Sequence, residues 1–234
     1  MKTKSILENW RHFLKEGKEK KLKLVFLIGP PSIGKSYWLE HHASQYGIVD
    51  PYIISMDDVT EAVGDKYGYD YDDMFAKPIQ PGEDGYSENQ YSDRFGEMID
   101  QPLKWKTWEP KVWAGVAKAA GEAMTQHQQE LEQAKHSGKH VVVDMTNMNK
   151  AGRKRIIDAV DAPDHELTAV VFDWAEDVQH LKDSAHKRSM KKFRETGKMK
   201  TIPPEAFDRM IGSYQAPTED EGWDNIIHVP AWWK

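Results

Sequence analysis

The sequence predicts an α/β fold in which one parallel sheet lies between two layers of helices. Three observations predict it. Continuous apolar runs, Leu24-Val25-Phe26-Leu27-Ile28 and Val141-Val142-Val143, read as strands buried on both faces, which is the habit of parallel sheets. These runs alternate with segments of helical periodicity, the pattern of successive βαβ units. A glycine-containing loop stands between the first run and the helix after it, where α/β folds bind phosphates.

Each element follows from local pattern. Ile6, Trp10, Phe13 and Leu14 fall on one helical face among many charges, so a helix is expected within residues 1–22. The first strand and the glycine loop come next, then a helix over 37–46. Tyr52-Ile53-Ile54-Ser55 gives a second strand that closes on Met56-Asp57-Asp58. From 59 to 110 the pattern breaks: Asp, Glu, Tyr, Gly and Pro dominate, with Tyr67, Tyr69, Tyr71, Tyr86 and Tyr91 among them, and the segment reads as an insertion. A long helix over 111–136 stops at Ser137-Gly138, where glycine takes the left-handed cap conformation. A strand over 141–144, a helix over 150–160, a strand over 167–172, a basic helical stretch over 176–196, a helix after Pro203-Pro204 and a strand over 226–229 complete the alternation. Residues 1–234 are expected to form a single domain.

Composition narrows the function classes. At 234 residues, 39% hydrophobic and 30% charged, the chain supports one sizeable core. With no cysteine, disulfides, thiolate metal sites and cysteine nucleophiles are excluded. No apolar stretch approaches the ~20 residues of a membrane span, so no membrane partner and a cytoplasmic location are expected. A net charge of -6 argues against a wholly basic nucleic-acid coat, but the charge is unevenly spread.

The loop Gly29-Pro30-Pro31-Ser32-Ile33-Gly34-Lys35-Ser36 has the spacing of a P-loop. Its glycines let the backbone wrap phosphates with N–H groups turned inward at a helix N-terminus; Lys35 reaches the β- and γ-phosphates, and the Ser36 hydroxyl serves Mg²⁺. The fold class sharpens to a three-layer P-loop NTPase sandwich with ATP and Mg²⁺ as cofactors.

Four segments together resemble the kinase domain of phage-type polynucleotide 5′-hydroxyl kinases and the wider family of small P-loop kinases. They are the loop with Tyr37-Trp38, the pair Asp57-Asp58, the run Asp144-Met145-Thr146-Asn147-Met148-Asn149 with Arg153, and Lys187-Arg188-Ser189 leading through Arg194 and Gly197 to Ile202-Pro203. The resemblance implies that Asp57 is the general base for the attacking hydroxyl; the other reading is that Asp57 or Asp58 caps the next helix. Asp144 then corresponds to a carboxylate that holds magnesium or its water, or orients the acceptor, the alternative being a turn-forming Asp. Residues 186–200 carry Lys187, Arg188, Lys191, Lys192, Arg194, Lys198 and Lys200 against Glu195 alone. The resemblance makes them a lid over the triphosphate, with Arg188 and Arg194 stabilising the transferred group and Lys192 competing with Arg194.

The implied activity is transfer of the γ-phosphate to a nucleic-acid hydroxyl, on DNA before RNA, at a 5′-end or on a modified base such as 5-hydroxymethyluracil. One departure bears on the acceptor: relatives that act on 5′-ends place an Arg three residues after the base, where this chain has Thr60. A small-molecule or nucleoside kinase and a non-catalytic nucleotide switch are the alternatives. The insertion's tyrosines with Trp105, Trp108 and Trp113 either stack on bases or form a local core.

Overall fold

The computed structural model describes residues 21–75, 110–174, 178–198, 200–202 and 204–230. The helix expected within 1–22 and residues 76–109 of the expected insertion, Tyr86, Tyr91, Trp105 and Trp108 included, lie outside the described residues, as does the side chain of Trp113. The described elements are β1 (Lys23–Ile28), α1 (Lys35–His41), β2 (Tyr52–Ile54), α2 (Met56–Tyr67), α3 (Tyr71–Phe75), α4 (Pro110–Lys135), β3 (Val141–Val143), α5 (Lys150–Val160), β4 (Glu166–Phe172), α6 (Val178–Thr196), α7 (Pro204–Gly212) and β5 (Asn225–Val229). A 3₁₀ turn, Ala43–Tyr46, takes the end of the segment expected as one helix over 37–46.

The five strands form one sheet in the order β2-β3-β1-β4-β5, parallel at every pairing. β1 is central, with Leu24 opposite Val141 on one side and Leu167 on the other, and helices cover its side chains on both faces. Their alternation sorts the core. Val25 and Leu27 join Val142, Val170 and Phe172 under Trp38 of α1, Leu181 of α6 and Phe207 of α7. Leu24, Phe26 and Ile28 join Val141, Val143 and Val171 under Ala134 of α4 and Ile156 and Val160 of α5. Each of these fully buried large side chains contributes about 1.5–3 kcal/mol.

Two elements, α2 and α3, were not expected. Where the sequence pattern breaks at Val59, α2 runs on to Tyr67 and stops at Gly68 in the left-handed region. Val59 and Val63, one turn apart, pack with Met74 of α3 and with Ala119 and Ala123 of α4; Tyr67 and Tyr69 border this third cluster. The start of the expected insertion is therefore a helix on a small core of its own, and these two tyrosines belong to that core.

Candidate nucleotide and phosphoryl-transfer site

The glycine loop leaves β1 and enters α1 directly. Ser32 and Gly34 have φ of 65° and 97°, and such left-handed residues in a tight loop turn successive N–H groups to one side, making an anion cradle. A side chain at Gly29 would put its first carbon 3.2 Å from Ile33 and 3.3 Å from Phe172, so the loop's first turn admits glycine best.

Inside this loop the Lys35 ammonium donates to the carbonyls of Gly29 and Pro30, both at 3.0 Å. Burial pushes its pKa down to about 8, against the opposing pull of the Asp144 and Asp57 carboxylates, while Arg188 lowers it further. These three charges act on Lys35 although they come from α2, the end of β3 and α6. Ser36 Oγ donates to Asp144 Oδ2 at 3.2 Å. Burial raises the Asp144 carboxyl above its ordinary value, with Lys35 and the Ser36 hydrogen bond acting the other way.

The turn after β3 is fastened to the loop. Gly29 N–H donates to the Thr146 carbonyl at 3.1 Å. Asn147, with φ 50°, donates from its amide to the carbonyls of Leu27 at 2.9 Å, Val143 at 3.0 Å and Met145 at 3.3 Å. Arg153, fully buried, forks onto Glu221 through two 2.8 Å bonds and donates to the carbonyls of Asn147 and Gln215. Its donors serve the framework that carries Asp144.

At the other side, Asp57 and Asp58 lie in the first turn of α2, and the cap is Ser55, whose hydroxyl accepts from Asp58 N–H. Neither aspartate is the capping residue. Asp57 Oδ1 accepts from the Tyr71 hydroxyl at 2.7 Å, and its Oδ2 lies 3.4 Å from Lys200 Nζ. Thr60 is buried and donates back to the Met56 carbonyl, so this position faces the interior rather than an acceptor.

The basic segment expected to form a lid is divided. Asp57, Glu61 and Asp65 follow at four-residue spacing and form one stripe of α2. Glu61 pairs with Lys192 and with Lys200 at 2.5 Å each, and Asp65 pairs with Lys198 at 2.5 Å. Burial works to raise the Glu61 carboxyl, but its hydrogen bonds with the two lysines win and hold it below the usual range. Arg188 and Lys192, four apart on α6, share a face, whereas Arg194 sits about 120° around the helix from Arg188; it is exposed.

Among the described residues no group of three or more His, Cys, Asp or Glu side chains could hold a metal ion alone. Mg²⁺ needs no such group: it keeps several waters and binds through one or two protein oxygens plus phosphate. The Ser36 hydroxyl and Asp144 carboxylate, already in contact, are a donor set of that kind.

Residues 24–217 match the profile of a family described as an AAA domain. The chain belongs to that family. No curated protein matches this AAA domain in sequence. Among solved structures it is similar to a candidate kinase from Chloroflexus aurantiacus (11% identity, 91% of this chain and 86% of that one, TM-score 0.48). It is also similar to a gluconokinase from Sinorhizobium meliloti (15% identity, 90% and 83%, TM-score 0.42). A third is a protein of the PezAT toxin-antitoxin system of Streptococcus pneumoniae (12% identity, 94% and 89%, TM-score 0.35). Among the described residues of this AAA domain no helix is long and apolar enough to cross a membrane.

Glu61 is the member of the site that sequence reasoning did not single out; Tyr71 stood only among the tyrosines of the expected insertion and Lys200 only among the basic residues of the expected lid. Only the four-residue spacing of the acids on α2 hinted at a lysine-binding stripe; nothing local pointed from Tyr71 to Asp57.

Proposed function

We propose that this AAA domain is an ATP-dependent kinase that transfers the γ-phosphate to an alcohol, with Asp57 as the general base. The observation that carries the reading is the Ser36 hydroxyl on the Asp144 carboxylate at 3.2 Å beside the buried Lys35, with Asp57 and Arg188 close enough for their charges to act on that lysine. Nucleotide binding alone uses the loop, Lys35, Ser36 and Asp144; it has no use for Asp57. A second carboxylate across the lysine suits a proton acceptor for an incoming hydroxyl.

In this reading the loop N–H groups and Lys35 hold the triphosphate, and Ser36 and Asp144 would hold Mg²⁺, which when bound neutralises charge on the phosphate oxygens. The acceptor oxygen forms a bond to the γ-phosphorus as the bond to the ADP oxygen breaks, and the acceptor's proton passes to Asp57. Arg188 offsets the charge on the transferred group.

For the acceptor, the four-segment resemblance supports a nucleic-acid hydroxyl. A specific observation favours a small uncharged or cationic alcohol instead: Lys192, Lys198 and Lys200 are each paired with an acid of α2, which leaves the lid less positive toward a phosphate backbone than its sequence suggests. ATP labelled in the γ-phosphate, offered with 5′-hydroxyl oligonucleotides, hydroxymethylated duplex, free nucleosides and sugars, separates the two. With a polynucleotide acceptor, added salt raises its KM far more than that of a neutral nucleoside. Asp57→Asn should lose about 10²–10⁴-fold in rate with nearly unchanged ATP affinity, and Asp58→Asn is the neighbouring control. Full turnover in Asp57→Asn would overturn the assignment of the base.

A further inference from the structure

We propose that Tyr71 and Lys200 orient the base: Tyr71 reserves one oxygen of Asp57 and so directs the acceptor hydroxyl to the other, beside the Lys200 ammonium. The inference rests on the kinase reading and assigns positioning residues to its site.

Four contacts carry it. The Tyr71 hydroxyl donates to Asp57 Oδ1 at 2.7 Å, which occupies that oxygen and fixes the carboxylate about its last torsion. Lys200 Nζ stands 3.4 Å from Asp57 Oδ2 and 4.7 Å from the centre of the Tyr71 ring, so one ammonium is shared between the second oxygen and the aromatic face. Glu61 holds that ammonium from behind at 2.5 Å. A hydroxyl that gives its proton to Oδ2 therefore arrives next to a positive charge, where developing negative charge on the acceptor oxygen is stabilised.

The parts are held from outside the site. Tyr71 opens α3, and the next residue, Asp72, accepts from the backbone N–H of Thr201 at 2.7 Å and from its hydroxyl. Ser189 of α6 donates to the carbonyl of Lys200. The turn that carries Lys200 is thus anchored to α3 and to the lid helix at once. Burial and the neighbouring Asp57 carboxylate both push the Tyr71 phenol far above its ordinary value, so it stays a hydrogen-bond donor throughout the working pH range.

Tyr71→Phe tests the proposal, because it keeps the ring under Lys200 and deletes only the donor. Turnover is measured with Mg-ATP and the best acceptor of the panel above, or with water as acceptor where no alcohol outpaces it. Tyr71→Phe should lower kcat by about tenfold or more with unchanged KM for ATP, and Lys200→Met should do likewise, with partial return in Lys200→Arg. The deciding measurement is a double-mutant cycle: in an Asp57→Asn background, Tyr71→Phe should cost nothing further. A structural role for Tyr71 would instead lower both backgrounds equally, and that result overturns the inference. Loss of activity in Asp57→Asn with normal kcat in Tyr71→Phe also overturns it, while leaving the base in place. Full activity in Asp57→Asn removes the base and the inference together, as does wild-type protein that transfers phosphate to none of these acceptors, water included.

Discussion

Ser36 and Asp144 meet across the sheet: the last residue of the phosphate loop donates its hydroxyl to a carboxylate 108 positions away, at 3.2 Å. The contact joins the carboxyl ends of β1 and β3, which are adjacent strands, and it sets up the first prediction. Ser36→Ala and Asp144→Asn should raise the Mg²⁺ concentration needed for half-maximal rate, by about 10–100-fold for the aspartate. A metal titration of phosphate transfer at saturating ATP checks this; an unchanged midpoint in both variants would remove the pair from the metal site.

Lys35 gives a pH prediction. Its pKa is lowered from 10.5 to about 8 in the folded protein, so between those values the unfolded chain binds more protons, and stability rises as pH climbs through that window. Below about pH 8 both states carry the proton and the dependence vanishes. Denaturant titrations from pH 7.5 to 10.5 without nucleotide should show the rise, and Lys35→Met should flatten it. Triphosphate restores the ammonium, so ATP binding at pH 8.5 should take up part of a proton. Calorimetry in buffers of different ionisation enthalpy measures that uptake, which the variant should lack.

The two lid arginines should separate. Arg188 acts on Lys35, whereas Arg194, six residues further on, lies about 120° around α6. Arg188→Ala is expected to cost about 10³-fold in kcat, and Arg194→Ala less than about tenfold, because it lies on a different face of α6 from Arg188. Equal losses would overturn this division between the two arginines.

Arg153 should prove structural. Its side chain is 0% exposed and that of Glu221 4%, so Arg153→Met leaves a buried carboxylate without its partner, a loss of about 3–5 kcal/mol. Chemical denaturation measures it. ATP affinity at low temperature, where the variant is still folded, should stay near wild type.

Much of this architecture was readable from local pattern, for reasons that differ by element. β1, β3 and β4 are buried on both faces and so appear as unbroken apolar runs. The loop is readable because its backbone demands glycine at Gly34 and small room at Gly29. α2 was not readable: only Val59, Val63 and Tyr67 face its small core, while Asp57, Asp58, Glu61, Asp65 and Lys66 dominate its composition. The same helix hides the lid's electrostatics, since Lys192 and Lys198 look free in sequence and meet Glu61 and Asp65 across more than 130 positions. Arg153 likewise depends on Glu221, 68 residues on. No periodicity connects such partners; only the folded topology does.

The two sides of the crevice are fastened by different physics. Gly29, Thr146 and Asn147 join the phosphate loop to the β3 turn through neutral hydrogen bonds to backbone, whereas Asp57, Glu61 and Asp65 hold the opposite side through lysines. Ionic strength therefore loosens one side and spares the other. Concentrated salt becomes a selective reagent on this protein, relaxing the lysine-fastened side, where the proposed base lies, while the phosphate loop keeps its shape.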